Sequence, residues 1–210
     1  MKNSFLVLVT VLFFSHWSFA QNENEEVKKG FKKENLFAGG SISAAFASNV
    51  FGIGGNPEFG YSLAKWMDLG IVGNYNYTSY RQYYGSDKLR QTIYGGGGFT
   101  RLFPVKFLFV QAQLEHNWIT LKHLYAGGSE KTNVSSNSLL IGAGYTTGRD
   151  PAGKSVYGYL SVLVDVLKQD NSPYVTYDYN PNTGGNSVRQ VPVIRAGFIV
   201  PLFQGGNRNF

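Results

Sequence analysis

The sequence predicts an all-β chain, an eight-stranded antiparallel up-and-down transmembrane β-barrel, and three observations predict it. From Leu36 onward, apolar residues alternate with small or polar ones in eight successive segments, each about 10 to 15 residues long, which is the period of a half-buried strand. The links between segments are tight and long by turns. The composition makes an ordinary mixed soluble enzyme an awkward fit: 26 Gly, 14 Tyr and 16 Phe in 210 residues, with 15% charged, where Gly in an average protein is ~7%. There is no Cys, which excludes a disulfide framework, a Cys-ligated zinc site and a thiol nucleophile together. The net charge of +6 is spread thinly, without a basic run or stripe, so nucleic acid is not an expected partner.

Residues 1–20 read as a signal peptide: Lys2 supplies the basic start, Phe5 to Phe14 an apolar core too short to span a bilayer, and Ser18-x-Ala20 a small-x-small cleavage site before Gln21. Cleavage there removes His16 and leaves His116 and His123. Residues 21–35 hold four Glu and four Lys with almost nothing apolar, a solvated polar tail that reads as periplasmic.

The barrel is expected over 36–203, with strands at 36–48, 54–65, 68–80, 91–103, 106–122, 137–148, 155–168 and 190–203, and a C-terminal tail at 204–210. In the fifth, Leu108, Val110, Ala112, Leu114 and Trp118 oppose Gln111, Gln113, Glu115 and Asn117; in the seventh, Gly158, Leu160, Val162 and Val164 oppose Tyr157, Tyr159, Ser161 and Asp165. The links Lys65–Asp68, Phe103–Lys106 and Gly148–Lys154 are tight, whereas Tyr80–Arg90, His123–Ser136 and Gln169–Arg189 are long and polar. A meander therefore gathers the short turns and both termini at one end, the layout of an outer-membrane barrel with short periplasmic turns and long outward loops.

Alternation alone does not say which face points inward, and a soluble lipocalin-like barrel would keep the apolar face inside. Lipid is favoured because aromatic residues gather near both segment ends: Trp66, Phe103, Phe107 and Phe203 on the short-turn side, and Tyr75, Tyr77, Tyr80, Trp118 and Tyr125 on the long-link side. Amphipathic rings prefer the headgroup level, so these are expected interfacial girdles.

With these features the chain resembles the small OmpA/OmpX/OmpW-like outer-membrane barrels, particularly Bacteroidetes-type members. The segments "NPEFGYSLAKWMDLGI", "GGGGFTRLF" and "RAGFIV" carry the resemblance. It implies a place in the outer membrane of a Gram-negative cell, in contact with outer-membrane lipid and lipopolysaccharide. It also implies that the barrel assembly machinery reads Arg195, Gly197, Phe198 and Val200 of the last strand, with Phe203 or Phe210 as the closing aromatic. The tail "QGGNRNF" sets Phe210 apart from Phe203 and departs from the family's ending.

Chemistry-bearing motifs are few, and no catalytic residue, metal site or cofactor is expected. Gly95–Gly98 lacks the Lys-Ser/Thr of a phosphate loop and reads as close backbone approach within a strand. Glu115 and His116 are adjacent, so on a strand they face opposite ways and form no dyad. The residues singled out are Glu58, Glu115, Asp165 and Arg195, charged side chains on the polar strand face. In a lumen just wide enough for side chains they must pair with one another or with trapped water, and three acids against one Arg call for a further cation such as Arg101 or for one protonated acid. The expected function is a structural or interaction role through the outward loops and a protein partner there. A narrow OmpW-like channel for small or hydrophobic solutes is the alternative, and a lipid A-modifying barrel enzyme a second.

Overall fold

The computed structural model describes residues 31–47, 49–81, 87–150, 155–180 and 185–203. The expected signal peptide, most of the polar tail and the segment 204–210 with Phe210 lie outside the described residues.

The strands are β1 (Leu36–Ala47), β2 (Val50–Ala64), β3 (Met67–Arg81), β4 (Lys88–Val105), β5 (Leu108–Tyr125), β6 (Gly128–Thr147), β7 (Tyr157–Asp165), β8 (Val175–Asn180), β9 (Gly185–Gln190) and β10 (Val193–Pro201). Eight of them form one closed ring in the order β1-β10-β7-β6-β5-β4-β3-β2, while β8 and β9 form a separate two-stranded sheet. All ring pairs are antiparallel, and closure is made by β1 on β10 from Phe37↔Pro201 to Ile42↔Ala196. The all-β, eight-stranded up-and-down expectation is borne out.

Side-chain parity decides the question the sequence leaves open. Gln111, Gln113, Glu115 and Asn117 are buried inside, whereas Leu108, Val110, Leu114 and Trp118 are exposed on the outer wall. On β7, Tyr157, Tyr159, Ser161, Leu163 and Asp165 face in, with Leu160 and Val162 facing out. The apolar face is outside and the polar face inside, the reverse of a lipocalin-like barrel.

Strand ends shift by a few residues from expectation, as in Tyr157–Asp165 against 155–168 and Val193–Pro201 against 190–203, and three departures are larger. β2 begins at Val50, four residues before the expected start at 54, and pairs there with the end of β1 at Ala47. The expected loop His123–Ser136 is strand: β5 and β6 pair without a register break from Leu108↔Tyr145 to Tyr125↔Gly128 and turn at 126–127. Both faces of that stretch carry polar residues, so no apolar contrast marks its period, and the backbone ladder with pairs such as Thr120 Oγ1 to Asn133 Oδ1 (2.9 Å) holds it. The long link Gln169–Arg189, with Gln190 from the start of the expected eighth segment, holds the β8/β9 hairpin, which pairs Val175↔Gln190 through Asn180↔Gly185. The short-turn end follows the sequence reading, and Gly148, at φ +75°, takes the left-handed conformation that ends β6.

Candidate functional site

The lumen is filled in tiers from the short-turn end outward. Lowest, Arg149 reaches across from the β6–β7 link, donating to the Lys65 carbonyl (2.7 Å) and to Asp68 Oδ1 (3.1 Å), with its guanidinium 3.7 Å from the Phe103 ring centroid. Above it lies an apolar layer of Phe37, Val72, Phe99, Phe103, Phe109, Tyr157, Tyr159 and Ile199. Arg101 crosses this layer between aromatic faces, 4.6 Å from the Phe99 centroid and 4.7 Å from that of Tyr159. It donates to Glu58 Oε1 and Oε2 (2.9 and 2.7 Å) and through Nε to Gln111 (2.7 Å), while Tyr159 Oη donates to Glu58 Oε1 (2.7 Å).

The next tier is joined by an amide relay. Gln111 Nε2 donates to Gln113 Oε1 (2.6 Å), and Gln113 Nε2 donates in turn to Glu115 Oε1. Arg195 arrives from β10 and donates to Glu115 Oε1 (2.9 Å) and Gln113 Oε1 (3.2 Å). Asn74 (3.1 Å), Asn117 (3.2 Å) and the Tyr174 hydroxyl (2.8 Å) also donate to Glu115 Oε2. Tyr174 belongs to the β7–β8 link, which folds inward over the mouth; burial, and then the charge of Glu115, hold its phenol well above the ordinary tyrosine pKa. Glycines give this tier its room, since a Cβ at Gly95 would stand 2.7 Å from Asn74 Oδ1 and one at Gly97 would overlap the Leu114 carbonyl.

Of the four singled-out charges, the structure joins Arg195 to Glu115 directly and places Glu58 with Arg101. Asp165 stands apart. It is fully buried, but its partners are Ser172 Oγ (2.6 Å) and the backbone N–H groups of Leu139 and Leu167 (both 3.1 Å). It ends β7 and organises the link beyond, because two N–H donors and a hydroxyl satisfy a carboxylate without a cation. Sequence reasoning missed the Arg149–Asp68 pair, since Arg149 lies in a short link with no strand period to assign its direction.

The aromatic assignments divide similarly. Trp66, Phe107 and Phe203 are exposed at the short-turn end and Trp118 on the outer wall beneath the long hairpin, where it stacks on Tyr94 at 5.6 Å. Phe103 is a correction: β4 parity turns it inward, where it is 5% exposed and packs on the Arg149 guanidinium. In β10, Arg195 faces the lumen, Phe198 is exposed outward, Val200 shares that outward parity, and a Cβ at Gly197 would overlap the Gly40 carbonyl at the closing seam.

His116 lies on the outer wall, where its Nδ1 is 2.7 Å from Asn137 Oδ1 and its ring packs edge-on against Trp118. His123 pairs with Asp87 (3.1 Å). Among the described residues no group of three or more His, Cys, Asp or Glu is placed to hold a metal. Above Arg195 the mouth retains a cavity of about 190 Å³ lined by Ser43, Asn56, Asn76, Thr78, Tyr80 and Tyr174 among others; beneath it Gln113, Glu115 and Arg195 are buried.

The second feature is an open sheet edge. β7 pairs with β6 only from Leu140 to Thr147, although β6 begins at Gly128. Asn137 N–H meets Gln169 Oε1 (3.0 Å) and Leu139 O accepts from Val166 N–H (2.9 Å), so odd-numbered β6 residues direct their backbone groups away from β5. By that parity Ser129, Lys131, Asn133 and Ser135 present N–H and C=O to an edge that no described strand covers.

No family model and no curated protein matches the chain. Among solved structures it is similar to Ail, the attachment invasion locus protein of Yersinia pestis, crystallised with the heparin analogue sucrose octasulfate, at 10% identity over 78% of this chain and 89% of that one, with a TM-score of 0.38. A second Ail structure matches at 13% identity over the same shares, with a TM-score of 0.36. At these scores the fold assignment rests on the closed strand ring itself.

Proposed function

We propose that this chain is an integral outer-membrane barrel protein that acts by interaction through its outward strands, without a catalytic step. Support for the membrane comes from the wall. Ile42, Ile71, Leu114, Ile194 and Phe198 are each more than half exposed while Glu58, Glu115, Arg101 and Arg195 are buried, an arrangement that water would penalise and hydrocarbon would not. The barrel assembly machinery would read Arg195, Gly197, Phe198 and Val200, and Trp66, Phe107, Trp118 and Phe203 would sit at the headgroup levels. The filled tiers give the channel reading little support, and the outer-wall position of His116 gives the enzyme reading little.

The observation that carries the interaction role is the β6 edge from Ser129 to Ser135. Four residues with paired donors and acceptors in line are a template for β-augmentation by an extended segment of a partner protein. Proline discriminates edge from ladder. Asn133→Pro removes an N–H directed to the open edge, which an edge strand tolerates. Thr132→Pro removes one directed to Leu121 of β5 and should disrupt the hairpin. A photo-crosslinker at Ser135 on intact cells should capture a partner in the wild type and lose it with Asn133→Pro while the barrel stays folded. Undiminished capture by Asn133→Pro would sink edge pairing as the mode of interaction.

A further inference from the structure

The ladders of β3 to β6 place five cations side by side on the outer wall. Arg90 lies directly opposite Lys122, and Lys122 opposite Lys131. In the next row Arg81 lies opposite Lys88. All five are exposed. Like charges directly opposite one another on a sheet face are unfavourable, and adjacent rows of them call for a counter-charge. None is on this face: its other described members in the same stretch are Tyr75, Tyr77, Ser79, Thr92, Tyr94, Trp118, Thr120, Leu124, Ser129, Asn133 and Ser135, without a carboxylate. Glu130, opposite His123, points to the other side of the sheet, where His123 meets Asp87.

The height of these rows is fixed by what lies below. Tyr75, Tyr94 and Trp118 form one row across three strands, each about half exposed, the position of an interfacial girdle. Lys122 is four residues above Trp118 on the same strand, ~13 Å along it, or about 10 Å along the membrane normal at a barrel tilt of ~40°. Between them, Thr120 and Asn133 are joined at 2.9 Å beside a cavity of about 250 Å³ that also touches Tyr94 and Trp118. Ring faces, then hydroxyl and amide groups, then cations follow the order of acyl boundary, sugar and phosphate in a glycolipid.

We propose that this face binds the phosphorylated headgroup of an outer-leaflet glycolipid, with Arg90, Lys122 and Lys131 on the phosphates, Arg81 and Lys88 reinforcing them, and the Tyr94–Trp118 platform beneath the sugars. The inference rests on the membrane placement proposed above and not on the β6 edge. Failure to insert into bilayers would sink the placement; normal insertion with glycolipid binding blind to these charges would sink this inference alone.

The test uses the full mature chain refolded in neutral detergent micelles and titrated with diphosphoryl lipid A, detected by native mass spectrometry. Near a membrane surface each cation contributes about 1 kcal/mol toward anionic lipid, so Arg90→Gln/Lys122→Gln/Lys131→Gln should lose roughly 100-fold in affinity. Binding by the wild type should weaken with salt and with removal of the lipid phosphates. Lys122→Arg/Lys131→Arg should retain affinity and keeps the test decisive if the Gln variant fails to fold. Lys106→Gln, at the opposite barrel end, should change nothing. Equal affinity of wild type and Gln variant, or of phosphorylated and phosphate-free lipid, overturns the proposal. So does tighter binding of a soluble sulfated polysaccharide than of lipid A, which would assign the rows to a ligand in the medium.

Discussion

Removing Arg101 should cost more than removing Arg195, although each is one half of a buried ion pair. Arg101 makes two of the three side-chain hydrogen bonds to Glu58, both through Nη2, and the Tyr159 hydroxyl makes the third. Arg195 supplies only one of the five donors to Glu115, which keeps Gln113, Asn74, Asn117 and Tyr174. Breaking a buried pair from one side costs about 3–5 kcal/mol when the remaining charge is uncompensated, and Arg101→Met should fall in that range, with loss of its stacking on Phe99 and Tyr159 included. For Arg195→Met the remaining donors hold the carboxylate, and the expected cost is that of a single charged hydrogen bond, about 1.5–3 kcal/mol. Urea unfolding of the refolded variants in lipid vesicles, followed by tryptophan fluorescence, measures both. The double variant Arg101→Met/Glu58→Gln should recover much of the single loss, because no charge is then left unpaired. An equal or inverted order of Arg101→Met and Arg195→Met, or a double variant worse than the sum of its parts, would refute the donor accounting.

Gly97→Ala should destabilise the barrel through overlap with the Leu114 carbonyl, whereas Gly98→Ala, whose Cβ would stand 3.7 Å from the Gly70 carbonyl, should be nearly neutral in the same assay. The Tyr174 pKa is raised on folding, so the folded state holds that proton more tightly than the unfolded chain. Its contribution is complete below the ordinary tyrosine pKa of about 10 and is lost as pH rises beyond it. In an alkaline absorbance titration, Tyr174→Phe should therefore differ from wild type only at the alkaline end, and a difference already present near pH 10 contradicts the buried assignment. With Arg195, Gln113 and Glu115 buried beneath the mouth cavity, purified protein in planar bilayers should show no stable conductance; reproducible single-channel steps would promote the channel reading.

The strands within the closed ring were legible because one face meets apolar surroundings and the other the lumen. Leu160 against Tyr159, or Leu114 against Glu115, is a contrast that alternation displays directly. The direction of that contrast was not legible from period alone and needed the aromatic rows. The outer half of the β5/β6 hairpin escaped because polar residues such as Thr132, Asn133 and Ser135 occupy both of its faces, leaving no apolar contrast to repeat. In the lumen, strand parity identified Glu58, Glu115 and Arg195 as inward, since parity is a property of sequence. Partner choice is not: which cation meets which carboxylate depends on stagger between strands, and the pairing of Arg195 with Glu115 crosses 80 residues. Arg149 and Tyr174 lie in links, where no period states a direction.

Strand length separates the two halves of the molecule. β7 and β10 have nine residues each, close to the ~9–11 that a tilted strand needs to cross a bilayer. β4 and β5 have 18 and β6 has 20, so their outer portions extend beyond anything β7 and β10 can cover. An open edge on β6 is therefore the geometric consequence of a ring whose strands end at different heights. An exposed edge normally invites aggregation, and this one, from Ser129 to Ser135, carries Ser, Thr, Asn, Lys and Glu with Val134 as its single apolar residue, which keeps it soluble while leaving its backbone groups available. The same extension raises Arg90, Lys122 and Lys131 above the girdle. In this reading the lumen network serves as the rigid base, and the unequal strands supply both the protein-facing edge and the glycolipid-facing wall.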